Sequence, residues 1–153
     1  MTTTFSNAAA VSDAVTITGL STLASGAYSA PSSLIDNTPS GPRGVSYVSG
    51  MLRLSFSAAL TAGSGAPYIT AYLLTAADGT NLPNPPGAAA TAPMPNARQV
   101  IGQLIANAAF SIVDFSVVDL DPLLYAVQIF NNSGVAFSGA GTLTLYRWTP
   151  QGA

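Results

Sequence analysis

The chain is 153 residues long and carries ten charged side chains, four Arg and six Asp, with no Lys, Glu, His or Cys and a net charge of −2. That inventory excludes disulfides, thiolate metal sites, histidine triads and lysine Schiff bases, and with them most of the bases and nucleophiles that enzymes use. Charged residues make up 7% and hydrophobic ones 48%, against about 25% charged in an ordinary soluble domain, so much of the surface is expected to be covered by other protein chains.

Residues 1–12 are small and polar and read as an N-terminal arm, followed by a β-sandwich domain over 13–149 and a short tail over 150–153. The first segment has no basic region ahead of an apolar stretch, so no signal peptide is expected. Ala14–Thr18 alternates and is β-branched, which predicts a strand. Ser25-Gly26 predicts a turn, and Ser29–Gly44, with three prolines, an irregular connection. Over Val45–Ser57 the side chains of Leu52, Leu54 and Phe56 fall on one face and Met51, Arg53 and Ser55 on the other, the period of a strand; Gly50 within it suggests a bulge or bend. Pro67–Thr75 is aromatic and β-branched, and Asp78-Gly79 marks a tight turn. Leu82–Pro95 holds five prolines and is expected to be a loop or a stiff arm docking on a neighbour, not a central strand.

Arg98–Val118 fits helical spacing through Val100, Ile101, Leu104, Ile105 and Ile112, but Gly102 and its β-branched content favour two strands around Asn107-Ala108. Leu123–Phe130 predicts a strand, Asn131–Gly134 a turn, Val135–Phe137 a resumed strand and Gly139–Gly141 another turn. In the last strand, Thr142–Trp148, Leu143 and Leu145 face one side while Thr142, Thr144, Tyr146 and Trp148 face the other. About eight short antiparallel strands without a helix predict an all-β fold, a jelly-roll-type β-sandwich.

Asp119-Leu-Asp121-Pro122, with Asp114 nearby, is the acidic cluster. It reads as turn chemistry, since a Ca²⁺ loop supplies more oxygens at closer spacing. The G-x-G runs at 63–65 and 139–141 lack the third glycine and following helix of a phosphate cradle. No catalytic residue, metal site, cofactor or small-molecule substrate is therefore expected, and an aspartate-only glycosidase is a distant alternative. The four dispersed arginines form no basic face, so nucleic acid is not an expected partner. Polar residues interrupt the most apolar stretch, Val100–Phe130, so no membrane span is expected either. What remains are candidate interface residues: Arg53 and Arg147, set among apolar strand residues, and the aromatics Tyr72, Tyr146 and Trp148, of the types enriched at hot spots. The same aromatics would also suit a sugar-stacking platform.

The succession TLASGAYSAPSSLIDN, PYITAYLLTAADGTNLP and LYAVQIFNNSGVAFSGAGTLTLYRW resembles small β-sandwich virion proteins of tailed bacteriophages, the capsid cement or decoration proteins. The likeness spans roughly Thr22 to Trp148 and is most specific at the C-terminal end. It implies a structural, homo-oligomeric protein on the outer capsid surface, assembled in the host cytoplasm, with the major capsid protein and copies of itself as partners. A tail or baseplate component and a carbohydrate-binding adhesin are the alternatives.

Overall fold

The computed structural model describes residues 11–38, 47–76, 81–82, 97–115, 118–120 and 123–148. The elements, in chain order, are β1 (Val11–Val15), a 3-10 turn (Leu20–Thr22), β2 (Ala27–Tyr28), β3 (Ile35–Asp36), β4 (Ser49–Thr61), β5 (Tyr68–Thr75), β6 (Arg98–Gln103), β7 (Ala109–Asp114), β8 (Val118–Asp119), β9 (Leu124–Asn132) and β10 (Gly141–Trp148). The strands form two antiparallel sheets. Sheet I runs β1-β10-β4-β7, with β8 continuing along β4 beyond β7; sheet II runs β2-β9-β5-β6, with β3 continuing along β9 beyond β2. Treating each interrupted pair as one strand leaves eight, and they pair first with last, second with seventh, third with sixth and fourth with fifth. That order is a jelly roll.

Period-2 alternation accounts for the core. Leu52, Leu54 and Phe56 of β4 and Leu143 and Leu145 of β10 turn inward from sheet I. Ile69, Ala71 and Leu73 of β5 and Val127 and Ile129 of β9 meet them from sheet II. Each large aliphatic side chain among these contributes about 1.5–3 kcal/mol by leaving water. Phe56 packs tilted against Phe137, ring centres 4.7 Å apart, and meets Phe110 edge-on at 6.0 Å.

The described residues of 98–118 form β6, β7 and the start of β8 and no helix, and Gly102 lets β6 pack closely. A Cβ there would lie 2.4 Å from a Val113 methyl, so the close approach of β6 to β7 requires the glycine. Asn107 makes the intervening turn at φ 58°, which asparagine tolerates.

Several expectations need correction. The first strand covers Val11–Val15, three residues ahead of the expected Ala14–Thr18. Gly50 sits in unbroken register with Arg147; its missing Cβ makes room for the Leu120 side chain. The bulge lies instead between Ser55 and Leu60, where β4 and β7 lose register. Strand β9 runs on through Asn132, moving the turn to Ser133-Gly134, and Val135–Phe137 is not a strand; its Phe137 is a core side chain whose N–H donates to Leu23 O at 2.9 Å. The Asp78-Gly79 turn, nearly all of the Leu82–Pro95 loop, residues 1–10 of the arm and the 150–153 tail lie outside the described residues.

Gly134 and Gly26 separate two costs. Both have positive φ, 83° and 81°, but a Cβ on Gly134 would lie 2.7 Å from Gly63 Cα, while one on Gly26 would meet nothing within 4 Å. Urea denaturation should show Gly26→Ala losing about 1–2 kcal/mol of stability and Gly134→Ala losing clearly more. Equal losses would mean that the Gly63–Gly134 backbone contact does not hold these two turns together.

Candidate functional site

The five candidate interface residues fall in three different places. Arg53, Tyr146 and Trp148 lie on the outer face of sheet I. Tyr72 lies on the outer face of sheet II, across the sandwich, because Ile69, Ala71 and Leu73 take the inward positions of β5. A single platform of Tyr72, Tyr146 and Trp148 is therefore ruled out. Arg147 is inside.

On the outer face of sheet I the register sets up rows of side chains. Tyr146 stands across from Met51 on one side and Ser12 on the other. Thr144 stands across from Arg53, and Arg53 across from Asp114. Trp148 stands across from Ser49, which faces Asp119. The Arg53–Asp114 pair is bidentate, Nε donating to Oδ1 at 2.6 Å and Nη2 to Oδ2 at 2.7 Å, and the guanidinium lies 5.8 Å from the Tyr146 ring centre. The hydrogen bond from Arg53 holds the Asp114 carboxyl below the usual carboxylate range, over a smaller opposing push from burial, and the same pairing raises the Arg53 pKa. This charge pair is half-exposed, so it orients the face more than it stabilises the fold.

On the outer face of sheet II, Tyr72 belongs to an aromatic group that sequence reasoning missed. Tyr28 packs tilted against Phe130 with ring centres 4.6 Å apart and lies 6.1 Å from Tyr72; Tyr68 lies 6.3 Å from Phe130. Burial, then the neighbouring Tyr28, pushes the Tyr72 phenol up. Tyr68 and Tyr72 are four apart on one strand and so share a face, a signal present in the sequence. Their neighbours Tyr28 and Phe130 arrive by non-local pairing of β2 with β9.

Arg147 shares the inward face of β10 with Leu143 and Leu145 and is 3% exposed. Its Nε and Nη2 donate to Asp13 Oδ2 at 2.9 and 2.7 Å; its Nη1 donates to Asp36 O at 3.0 Å and Asn37 Oδ1 at 3.1 Å. The Tyr47 ring centre lies 5.0 Å away, and the Asn37 amide clasps the Tyr47 main chain from both sides, at 2.8 and 3.0 Å. This candidate interface arginine thus finds its carboxylate and carbonyl partners within the chain. Arg98, the remaining described arginine, donates to the Asp119 carbonyl.

Of the acidic cluster, Asp114 is committed to Arg53, Asp119 sits in β8 and Asp121 lies outside the described residues. No group of three or more potential metal-ligating side chains occurs among the described residues, nor a helix long and apolar enough to cross a membrane. A shallow hollow of about 190 Å³ at the β6–β7 turn is lined by Leu104, Ile105, Phe110, Ile112 and small or amide neighbours, without an ionisable side chain.

Arg147→Met, which keeps volume but leaves Asp13 without the guanidinium, should destabilise the chain by about 3–5 kcal/mol in urea denaturation, the usual cost of breaking a buried pair from one side. The double variant Arg147→Met/Asp13→Leu should recover part of that loss. A loss below about 1 kcal/mol for the single variant, the size of an exposed pair, would show that the buried network does not hold this end of the sandwich.

No protein-family model, curated protein or solved structure matches the chain, so the reading of these surfaces rests on their own chemistry.

Proposed function

We propose that the protein is a virion structural protein, a capsid decoration or cement protein that binds the major capsid lattice from outside as a homo-oligomer. The observation that carries this reading is how the chain divides its polar groups. Arg53, Arg98 and Arg147 all have partners within the chain, while the two outer sheet faces present Tyr146, Trp148 and Met51 on one side and Tyr28, Tyr68, Tyr72 and Phe130 on the other. Half-buried aromatic and apolar groups suit a protein partner, where Tyr and Trp act as anchors and charge is depleted.

The mechanism is mechanical. A protein that binds only the assembled shell stabilises that shell by mass action, and contacts spread across subunit boundaries resist internal pressure and heat without any chemical step. The jelly roll is also common among lectins, so a glycan-binding role is the competing outcome. The paired charges on the Arg53 face count against it, because a sugar site needs polar groups left free beside the stacking ring.

Gold-labelled antibody against the chain should decorate the heads of particles that contain it, in a regular pattern. Label confined to tails or baseplates would move the protein there. Trp148→Ala should weaken attachment to the capsid by about 2 kcal/mol, as loss of a buried tryptophan anchor does. Unchanged occupancy together with Trp148-dependent binding on a glycan array would replace the cement reading with the adhesin.

A further inference from the structure

Among the described residues, strand β6 ends sheet II and is bonded along one side only, to β5. The phase of that ladder is fixed by Leu104 N–H donating to Pro67 O at 3.1 Å. Bonded and non-bonded pairs alternate in an antiparallel ladder, so Arg98, Val100 and Gly102 turn their main-chain groups toward β5. Gln99, Ile101 and Gln103 turn theirs toward the open edge, and all three are exposed.

Sheets normally protect such edges with charge, proline, a bulge or a covering segment. The other edges here have these devices. β1 carries Asp13, β7 carries Asp114 and loses register with β4, and β2 and β3 are separated by a stretch containing Pro31. Arg98 opens β6, but the five residues after it, QVIGQ, are free of charge and proline, no described segment covers them, and their register with β5 is unbroken. Ile101 is 46% exposed, and Ile105 just beyond the strand is 79% exposed.

We propose that β6 pairs with β6 of a second copy of this chain, antiparallel about a two-fold axis that passes between the two copies of Ile101. The segment is complementary to itself. With Ile101 opposite the partner's Ile101, Gln99 falls opposite the partner's Gln103, and the reverse. A glutamine amide both donates and accepts, so two of them satisfy one another, and the isoleucines meet as an apolar pair. The phase fits as well: the outward main-chain groups of Gln99, Ile101 and Gln103 meet their counterparts in bonded register, giving about six hydrogen bonds across the axis. Sheet II of each copy then continues into that of the other. This rests on the homo-oligomer part of the proposed function and not on capsid binding; measured on the isolated chain, its failure leaves the capsid location standing.

Sedimentation of the purified chain should show a concentration-dependent dimer at about 100 μM, a range that captures weak pairs. Ile101→Lys, which places like charges across the axis, should weaken it about tenfold or more with unchanged circular dichroism. The chain has no cysteine, so Ile101→Cys supplies a single thiol. The Cα separation of a bonded antiparallel pair, about 5.5 Å, is within disulfide reach. Mild oxidation should convert that variant to a covalent dimer, while Ile112→Cys, exposed on the other sheet, should stay monomeric on a denaturing gel. A monomeric parent chain overturns the proposal. So does an oligomer that Ile101→Lys leaves intact, or equal cross-linking of the two cysteine variants. If the lysine variant does not fold, the smaller, uncharged Ile101→Cys decides alone.

Discussion

The guanidinium of Arg147 is the interaction on which this fold closes. A jelly roll must bring its first strand back to its last, and here β1 and β10 meet beside a buried cation that also reaches the chain leaving β3 and the residue entering β4. Taking a charge out of water is costly, and that cost is offset only because four acceptor contacts and an aromatic face surround it. Arginine suits such a site because its planar fork bonds in several directions at once and stays charged.

Elsewhere neutral side chains do equivalent work. Between β2 and β3, the stretch containing Pro31 cannot continue a full ladder along β9. Ser29 and Ser32 repair it: each donates its own N–H to β9, at 2.8 Å in both cases, and accepts a β9 N–H at its hydroxyl, at 2.9 Å. Near the C-terminal end of β9, the Asn131 amide donates to Leu23 O and Val135 O and accepts from both the N–H and hydroxyl of Ser133. Buried polar groups so paired specify one arrangement of the loops. The abundance of Ser, Thr and Asn in a chain this poor in charge is in part this internal bonding.

Much of the fold is legible in the sequence because alternation is a local signal. The inward sets of β4 and β10 read directly from it, and β-branched content with Gly102 separates strands from helix over 98–118. Sheet membership is not local, which is why the pattern of aromatics groups Tyr72 with Tyr146 and Trp148 although they lie on opposite sides. Arg147 misleads for a different reason. Its parity with Leu143 and Leu145 points inward, but a charge in a strand suggests solvent or an interface, and the partners that make burial tolerable, Asp13 and Asn37, are more than a hundred residues away in sequence. The bulge near Ser55 has no glycine to announce it, whereas Gly50 marks a close contact with Leu120.

The functional account follows from where the charge goes. With its described arginines bonded within the chain, the aromatic side chains of the two outer faces are left to meet a partner, and with ten formal charges in all, screening has little to act on. The most direct test is retention of the protein on purified particles as salt is raised from about 0.05 to 1 M, which shortens the Debye length from over about 10 Å to about 3 Å. The account predicts occupancy unchanged across that range. Release of the protein by moderate salt alone would contradict it.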